Sequence, residues 1–287
     1  MKSLIEDKKI LVVGLQRQHP GKTTLCKAII YGLKEVGIKP VPFKPHSGMS
    51  YWNQFDTFQE NLIKGSLVCK DIISLEQASK SQLPLEILNP VNRLVRPISN
   101  IQTSQDKKTI DEFLAQRFTH YDGKRSKNIY LLKDARNSSK MRDMNEFILR
   151  IKKNAEKILF MKNFKDLLEV YRKYFGVATL SSYGYINEKS IVIESFNDAA
   201  FPFNKASDCN FVLCVSSNMI YQIKSSKYFK YLDFYAETKS KLQLSVSQIL
   251  SSTLIEKRFD VQPLNSREQN DPQKLKQNYS DIIKQII

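Results

Sequence analysis

The fold is decided by the stretch KILVVGLQRQHPGKTT at residues 9–24. Between Lys9 and Gly14 it has four apolar residues, three of them β-branched, a pattern typical of a buried strand in a parallel sheet. Residues 24–36 then place apolar side chains at a helical period, and Gly37 suits the end of that helix. Residues 41–44 follow as a second predicted strand. Strand, glycine-containing turn, helix and strand make a βαβ unit, so we expect an α/β fold with a mostly parallel central sheet flanked by helices.

The remainder of the sequence alternates between strand and helix patterns. Short apolar runs predict strands at 190–194, 211–215 and 259–264. Helical periods predict helices at 53–64, 66–80, 106–118, 143–157, 163–174, 219–232, 237–255 and 272–287. Neither an internal repeat nor a low-complexity linker is evident. We therefore expect a single domain over residues 1–287, in which residues 99–189 form a helical, basic elaboration.

The strongest motif is Gly21-Lys22-Thr23-Thr24, between the first strand and the first helix. In a P-loop, backbone N–H groups and the helix N-terminus cradle phosphates, the lysine reaches the β- and γ-oxygens, and the next hydroxyl holds Mg²⁺. The sequence therefore predicts a P-loop NTPase fold. The residues that we expect to contact the nucleotide are Gln18, His19, Pro20, Gly21, Lys22, Thr23 and Thr24.

The motif departs from the P-loop consensus at its first position. The consensus has glycine four residues before Gly-Lys-Thr, whereas this sequence has Gln16, with Gly14 two residues earlier. Because GK[ST] alone is frequent, an ordinary strand–turn–helix corner is the alternative. The strand before the motif and the helix after it favour nucleotide binding.

A second motif, Phe43-Lys44-Pro45-His46-Ser47-Gly48, follows the second predicted strand. A P-loop helix followed by a strand that ends in this motif resembles dethiobiotin synthetase and its relatives among the SIMIBI-class P-loop proteins. Lys22 and Lys44 are 22 positions apart, as in that family. Asp71 and Asn89-Pro90 are similar to the family's metal-site aspartate and its Asn-Pro turn, and residues 191–194 resemble its Walker B strand. The resemblance covers residues 8–98 and 190–216.

The resemblance implies a catalytic site that uses ATP and Mg²⁺. Lys22 and Lys44 would be the catalytic residues, and Thr23, Asp71 and Glu194 would hold the metal ion, either directly or through water. In dethiobiotin synthetase the second lysine serves a carbamate substrate that ATP activates as a mixed anhydride. The resemblance also implies a homodimer. Asp71 has an alternative interpretation as a solvated helix residue.

The sequence departs from the family where the substrate is expected to bind. Residues 16–20 are Gln-Arg-Gln-His-Pro, whereas the family places threonine and acidic residues there. Because arginine and histidine beside phosphates suit a more anionic ligand, we expect a small acidic substrate rather than dethiobiotin synthesis itself. Our candidate substrate residues are Arg17, Ser47 and Asn197. Residues 195–202 are interpreted either as a substrate or switch loop or as a loop that caps the next helix.

The charge of the chain also indicates an anionic partner. There are 45 Lys and Arg residues against 29 Asp and Glu, a net charge of +16. Seven basic residues and one acidic residue lie within 124–142. This run is compatible with a solvated face, with a lid over phosphates, or with nucleic-acid binding that would depend steeply on salt. We do not favour nucleic acid, because the run lacks a repeated aromatic pattern for base stacking.

Other features narrow the class of protein. No apolar run approaches the roughly 18 residues of a membrane span, and the first residues lack the apolar segment of a signal peptide. The four cysteines lack CxxC or zinc spacing, which favours free thiols and a cytoplasmic protein without a membrane partner. The guanine-reading pattern Asn-Lys-x-Asp is absent, since Asn204-Lys205-Ala206 is followed by Ser207. ATP is therefore favoured over GTP.

Two functions follow from these patterns. The first is a Mg²⁺-ATP-dependent P-loop enzyme that activates a small acidic substrate by phosphoryl transfer. The alternative is a regulatory or assembly ATPase or GTPase, whose hydrolysis switches binding to a protein or a nucleic acid.

Overall fold

A computed structural model describes residues 7–16, 21–98, 110–133, 142–187, 189–237 and 240–287. The chain divides into two compact units. The first unit consists of Met1–Pro45, Asp71–Leu83 and Tyr183–Ile287, and the second of His46–Lys70 and Pro84–Ser182.

Both strands and helices occur throughout the described chain. The strands are β1 (Lys9–Gly14), β2 (Val41–Phe43), β3 (His46–Ser50), β4 (Val91–Ile98), β5 (Ile110–Tyr121), β6 (Ser126–Lys133), β7 (Ala155–Met161), β8 (Ile191–Glu194), β9 (Phe211–Val215), β10 (Met219–Ile223) and β11 (Ile255–Asp260). The helices are α1 (Lys22–Glu35), α2 (Phe55–Lys64), α3 (Lys70–Ser79), α4 (Leu85–Leu88), α5 (Arg142–Ile151), α6 (Phe164–Ile186), α7 (Ser225–Tyr235), α8 (Val246–Ile249), α9 (Pro272–Asn278) and α10 (Ser280–Ile286).

The sheet of the first unit has, among the described residues, six strands in the order β11-β10-β9-β1-β8-β2. Strands β9, β1, β8 and β2 are parallel, and β10 is antiparallel to both of its neighbours. The connection from β1 passes β8 to reach β2, whereas the connection from β8 passes β1 to reach β9. Because these connections leave in opposite directions, the carboxyl ends of β1 and β8 form a topological switch point, where ligands bind in open α/β sheets.

Helix α1 packs closely against the C-terminal helices of the first unit. Its buried face includes Leu25, Ile29 and Leu33, which recur at the helical period. A Cβ atom added at Gly32 would lie 2.5 Å from Cγ2 of Ile283 in α10, so the two helices approach each other too closely for a larger residue at position 32. Burial of this apolar stripe fixes the position of α1, which follows the carboxyl end of β1 in the chain.

The second unit is built on a mixed sheet in the order β3-β4-β5-β6-β7. The β3–β4 and β6–β7 pairs are parallel, and the β4–β5 and β5–β6 pairs are antiparallel. One face of this sheet packs against helices α2 and α5 around a core that includes Phe58, Leu94, Tyr130 and Phe147. This unit therefore has its own hydrophobic core.

The predicted α/β class is confirmed, and so are the helix after the glycine turn and the strands at 9–14, 190–194 and 211–215. The mostly parallel central sheet is found in the first unit. The prediction that 99–189 is helical is wrong in part, because β5, β6 and β7 lie there beside α5 and α6. Residues 99–109 and 134–141 lie outside the described part of the chain.

The helix predicted at 106–118 is wrong, since its described residues belong to strand β5. This strand lies between β4 and β6, and the residues from Leu114 to Phe118 are all buried. A strand that is buried on both faces loses the alternation of polar and apolar residues that identifies strands. Its Leu, Ala and Gln residues favour helices when isolated, and pairing in the sheet overrides that preference.

The long helix predicted at 237–255 is also wrong, because α8 is the only α-helix described in this range. The segment is rich in serine, and serine side chains bond to nearby backbone groups and so compete with helical hydrogen bonds. Ser245, for example, forms a capping box with Gln248 at the start of α8. The helix predicted at 219–232 is divided into β10 and α7, and the strand predicted at 259–264 begins earlier, as β11.

Candidate functional site

The first element of the site is the N-terminus of α1. Gly21 precedes this helix with a φ of 85°, a left-handed conformation that glycine adopts without steric cost. The first helical hydrogen bond runs from Leu25 N to Gly21 O at 3.0 Å. Lys22, Thr23 and Thr24 therefore occupy the first turn, where unpaired N–H groups and the helix dipole favour phosphate. The predicted residues Arg17, Gln18, His19 and Pro20 lie outside the described residues.

The second element is Glu194, the last residue of β8, which contacts two other predicted site residues directly. Its Oε1 atom accepts a hydrogen bond from Thr23 Oγ1 at 3.0 Å and lies 2.5 Å from Lys44 Nζ. Lys44 follows β2, the strand next to β8, and its Nζ also lies 2.8 Å from Asp71 Oδ2 in the first turn of α3. The structure thus brings Thr23, Lys44, Asp71 and Glu194 together.

Burial governs the electrostatics of this cluster. The exposed fractions are 3% for Lys44, 2% for Glu194 and 6% for Lys22. Burial raises the pKa of Glu194, and the positive charge of Lys44 opposes that rise. Burial lowers the pKa of Lys22, and the negative charge of Glu194 opposes that change. A buried charge is costly unless it is paired, so the opposite charges of the cluster stabilise one another.

The second carboxylate oxygen of Glu194 differs from the first in its hydrogen bonding. Glu194 Oε2 is buried and has no hydrogen bond among the described residues, and the same is true of the neighbouring Ser195 Oγ. Most buried polar atoms are hydrogen-bonded, so an unpaired oxygen at a strand end suggests a missing ligand. Together with Thr23 Oγ1 and the Asp71 carboxylate, Oε2 offers the hard oxygen atoms that Mg²⁺ prefers. In the described ranges, no cluster of three or more His, Cys, Asp and Glu residues suits a metal ion.

Lys22 is anchored to the loop that follows β8. Its Nζ donates a hydrogen bond to the backbone oxygen of Asn197 at 2.7 Å. Asn197 has a φ of 49°, a left-handed conformation that asparagine tolerates better than most residues. Asn197 was predicted as a substrate residue, whereas its contact with Lys22 is made by its main chain. Such a contact cannot be predicted from the sequence, because every residue has a backbone carbonyl.

Ser47 and Asn89 belong to the second unit. Ser47 is fully buried, and its Oγ lies 3.0 Å from Asn89 Oδ1 and 2.7 Å from Asn92 Oδ1. The carbonyl of Asn89 accepts a hydrogen bond from Arg117 Nη2 at 2.6 Å. Ser47, in β3, and Asn89, just before β4, are therefore joined within one polar network. A substrate role for Ser47 stays a prediction.

Part of the basic run at 124–142 is engaged in ion pairs. Lys127 Nζ lies 3.1 Å from Asp122 in the turn between β5 and β6, and Lys133 forms an ion pair with Glu112. The backbone N–H groups of Arg125 and Lys124 also bond to Asp122 and lower the pKa of its carboxyl group. Among the described residues of this run, Lys127 and Lys133 thus neutralise carboxylates of the same hairpin. Residues 134–141 lie outside the described chain.

Sequence analysis missed two buried residues of α1. Cys26 is fully buried one turn after Lys22, and burial raises the pKa of its thiol well above the usual range. Lys27 is 6% exposed, and its Nζ donates hydrogen bonds to Gln269 O at 2.6 Å and to Asn270 Oδ1 at 2.8 Å. These contacts connect α1 to the segment before α9. Lys27 lies opposite the apolar stripe of the predicted helix, which concealed its burial.

Comparisons with protein-family models, with curated proteins and with solved structures find no match to this chain. Among the described helices, none has both the length and the apolar character that a bilayer span requires. Any function must therefore be argued from the geometry of the site.

Proposed function

We propose that the chain is a Mg²⁺-ATP-dependent P-loop enzyme that activates a small acidic substrate by phosphoryl transfer. The observation that supports this proposal best is the convergence of Thr23, Lys44 and Asp71 on Glu194. The cluster lies at the carboxyl end of β8, beside β1 and the N-terminus of α1, at the topological switch point of the sheet. A hydroxyl and two carboxylates at a helix N-terminus suit a metal ion bound to phosphates.

Each residue has a role that follows from its chemistry. The first turn of α1 and Lys22 would bind the nucleotide phosphates and compensate the negative charge that develops during transfer. Thr23, Asp71 and Glu194 would hold Mg²⁺, which polarises the phosphoryl oxygens when bound. Lys44 stands at the end of the adjacent strand and would orient an anionic group of the second substrate. Burial of Lys44 and Glu194 excludes water from this side of the site.

A regulatory switch is the second candidate, and the contact between Lys22 and Asn197 favours it. A phosphate that binds Lys22 would compete with the Asn197 carbonyl and so would release the loop after β8. Such a loop reports nucleotide binding to a protein or nucleic-acid partner when it changes conformation. ATP remains the favoured nucleotide over GTP. The family resemblance implies a homodimer, and the spacing of the cysteines favours a cytoplasmic protein.

Stimulated hydrolysis distinguishes the two functions. We expect ATP hydrolysis by the purified protein with Mg²⁺ to rise at least tenfold with one member of a panel of small carboxylates. The Glu194→Gln variant should lose this stimulated rate. If small molecules leave the hydrolysis rate unchanged and a protein or nucleic acid raises it, the regulatory-switch function is supported instead. If neither a small molecule nor a macromolecule raises the rate, and the wild type hydrolyses ATP no faster than Glu194→Gln, the enzyme proposal fails.

A further inference from the structure

The ammonium group of Lys44 lies between the two carboxylates that we assign to the metal ion. Lys44 Nζ is 2.5 Å from Glu194 Oε1 and 2.8 Å from Asp71 Oδ2. Lys44 is 3% exposed and Glu194 is 2% exposed, so this contact is shielded from water on the side of Glu194. The Lys44 ammonium group therefore already contacts carboxylate oxygen atoms that a divalent cation would need as ligands.

The charges of the described residues in this cluster balance without a metal ion. Lys22 and Lys44 contribute two positive charges, and Asp71 and Glu194 contribute two negative ones. A divalent cation that joined this cluster alone would leave two uncompensated positive charges in a largely buried environment, which is unfavourable. A nucleotide triphosphate changes the balance, because its phosphates supply the negative charge that the metal ion and both lysines require.

The position of Lys44 allows its ammonium group to move while the sheet stays in place. Lys44 directly follows β2, whose backbone is paired with β8 up to Phe43. Lysine has a flexible four-carbon stem and a compact point charge, so its head group can change partner without a backbone movement. Glu194 Oε2, which has no hydrogen-bond partner in the part of the chain that the structure describes, offers an incoming cation its first ligand.

We propose that Lys44 is an internal counter-ion that occupies the cation site of the nucleotide-free protein, so that a divalent cation enters only together with the nucleotide. The inference rests on the metal site of the proposed function and deepens it. On binding of the metal–nucleotide complex, the Lys44 ammonium leaves the carboxylates for an anionic phosphate or substrate group. A permanent salt bridge would instead keep Lys44 on Asp71 and Glu194 whatever the ligand.

Mn²⁺ binding without nucleotide tests this proposal. Mn²⁺ prefers the same oxygen ligands as Mg²⁺, and its electron paramagnetic resonance signal reports the free ion directly. The wild-type protein should bind Mn²⁺ with a dissociation constant in the millimolar range or weaker. Lys44→Met should bind one Mn²⁺ at least tenfold more tightly, and Lys44→Met/Glu194→Gln should lose that gain. Lys27→Met is the matched control, because it removes a buried lysine whose partners are uncharged.

Thermal unfolding gives a second measurement that does not depend on activity. Lys44→Met leaves two carboxylates without their cation, so its melting temperature should be below that of the wild type in EDTA and should rise with Mg²⁺. The melting temperatures of the wild type and of Lys27→Met should not respond to Mg²⁺ alone. If Lys44→Met does not fold, the wild-type titration still decides, since tight binding without nucleotide contradicts the proposal.

Two results would overturn the counter-ion role. One is micromolar Mn²⁺ binding by the nucleotide-free wild type that Glu194→Gln abolishes. The other is a folded Lys44→Met variant with the Mn²⁺ affinity of the wild type. ATP affinity, measured in parallel on the wild type, separates this failure from that of the proposed function. If the wild type binds Mg²⁺-ATP tightly but Lys44→Met binds Mn²⁺ no more tightly than the wild type, only the counter-ion inference fails. If Lys44→Met gains Mn²⁺ affinity but the wild type does not bind ATP, only the nucleotide proposal fails.

Discussion

Thr23 Oγ1 donates a hydrogen bond to Glu194 Oε1 at 3.0 Å, across 171 positions of the sequence. This bond joins the first turn of α1 to the carboxyl end of β8, the two places where the sequence predicts phosphate and metal ligands. It orients one carboxylate oxygen of Glu194 toward α1, while the other oxygen accepts no hydrogen bond from any described residue. The geometry of the candidate site depends on this contact.

Replacing the Thr23 hydroxyl tests the role of this contact in metal binding. Thr23→Val keeps the shape of the side chain and removes the hydrogen bond, so we expect a loss of about 1 kcal/mol in the free energy of unfolding. The affinity for Mg²⁺-ATP should fall about tenfold, equivalent to ~1.4 kcal/mol, while the affinity for ATP in EDTA should change little. Isothermal calorimetry with and without Mg²⁺ measures both. Equal losses in the two conditions, or a larger metal-specific loss in Thr24→Val, contradict this role.

Two substitutions of Asn197 distinguish a role of its main chain from a role of its side chain. Asn197→Gly keeps the carbonyl that accepts from Lys22 and suits the φ of 49°, so unfolding free energy and ATP affinity should change little. Asn197→Ala should cost roughly 1 kcal/mol, because alanine is less favourable in the left-handed region. Urea unfolding of the two variants checks this order. A loss of substrate stimulation in Asn197→Gly alone would support the predicted side-chain contact with substrate.

The packing of α1 against α10 predicts opposite effects for two glycine substitutions. Gly32→Ala places a Cβ atom 2.5 Å from Ile283 Cγ2, and we expect a loss of about 1–3 kcal/mol from overpacking. Gly184→Ala in α6 meets no atom within 4 Å and should gain about 0.5–1 kcal/mol from helix propensity. Urea unfolding measures both changes. If Gly32→Ala has the same free energy of unfolding as the wild type, α10 can move aside without cost, and its packing does not hold α1 in place.

The ion pairs of Glu112 predict a dependence of stability on acid pH. Burial opposes ionisation of Glu112, but its hydrogen bonds with Lys133 and Arg96 outweigh this effect and lower its pKa. Because the folded carboxyl group binds protons less readily than the unfolded one, its contribution is present above the unfolded pKa. That contribution is lost as the pH falls through the folded pKa.

The measurement is urea unfolding of the wild type and of Glu112→Gln at neutral and at acid pH. At neutral pH the variant should be less stable by about 1.5–3 kcal/mol, the contribution of a hydrogen bond to a charged group. The difference between the two proteins should shrink as the pH falls. Glu146→Gln is a suitable control, because its ion pair with Arg150 is exposed. A difference that is constant with pH contradicts the pKa shift.

The sequence alone was sufficient for the central part of the first unit. The β-branched runs at 9–14 and 190–194 indicated two buried strands, because short, continuous apolar runs are typical of strands in a parallel sheet. The contact of Lys44 with both Asp71 and Glu194 could not be predicted in the same way. It depends on the directions of three side chains that come from separate elements of the fold.

Local patterns failed where long-range pairing determines the structure. Strand β5 is buried between two neighbours and has no alternation that a sequence pattern could show. The segment at 237–255 has helical spacing, but the backbone N–H of Ser245 donates to the Gln248 side chain, and hydroxyl pairs form at 245/247 and 251/253. Short-range polar contacts of this kind compete with a continuous helix. The buried Lys27 lies on the polar side of the predicted helix, and only the segment that binds it, residues 269–270, explains its burial.

Calorimetric titration of the protein with Mg²⁺-ATP tests the central claim most directly. We expect micromolar binding to the wild type, at least a tenfold loss in Lys22→Ala, and unchanged binding in Lys27→Met. The loss follows because a hydrogen bond to a charged group contributes about 1.5–3 kcal/mol, and 1.4 kcal/mol is a tenfold change. Binding to Lys22→Ala with wild-type affinity, or no binding to the folded wild type, would contradict the claim that this chain is a P-loop nucleotide-binding protein.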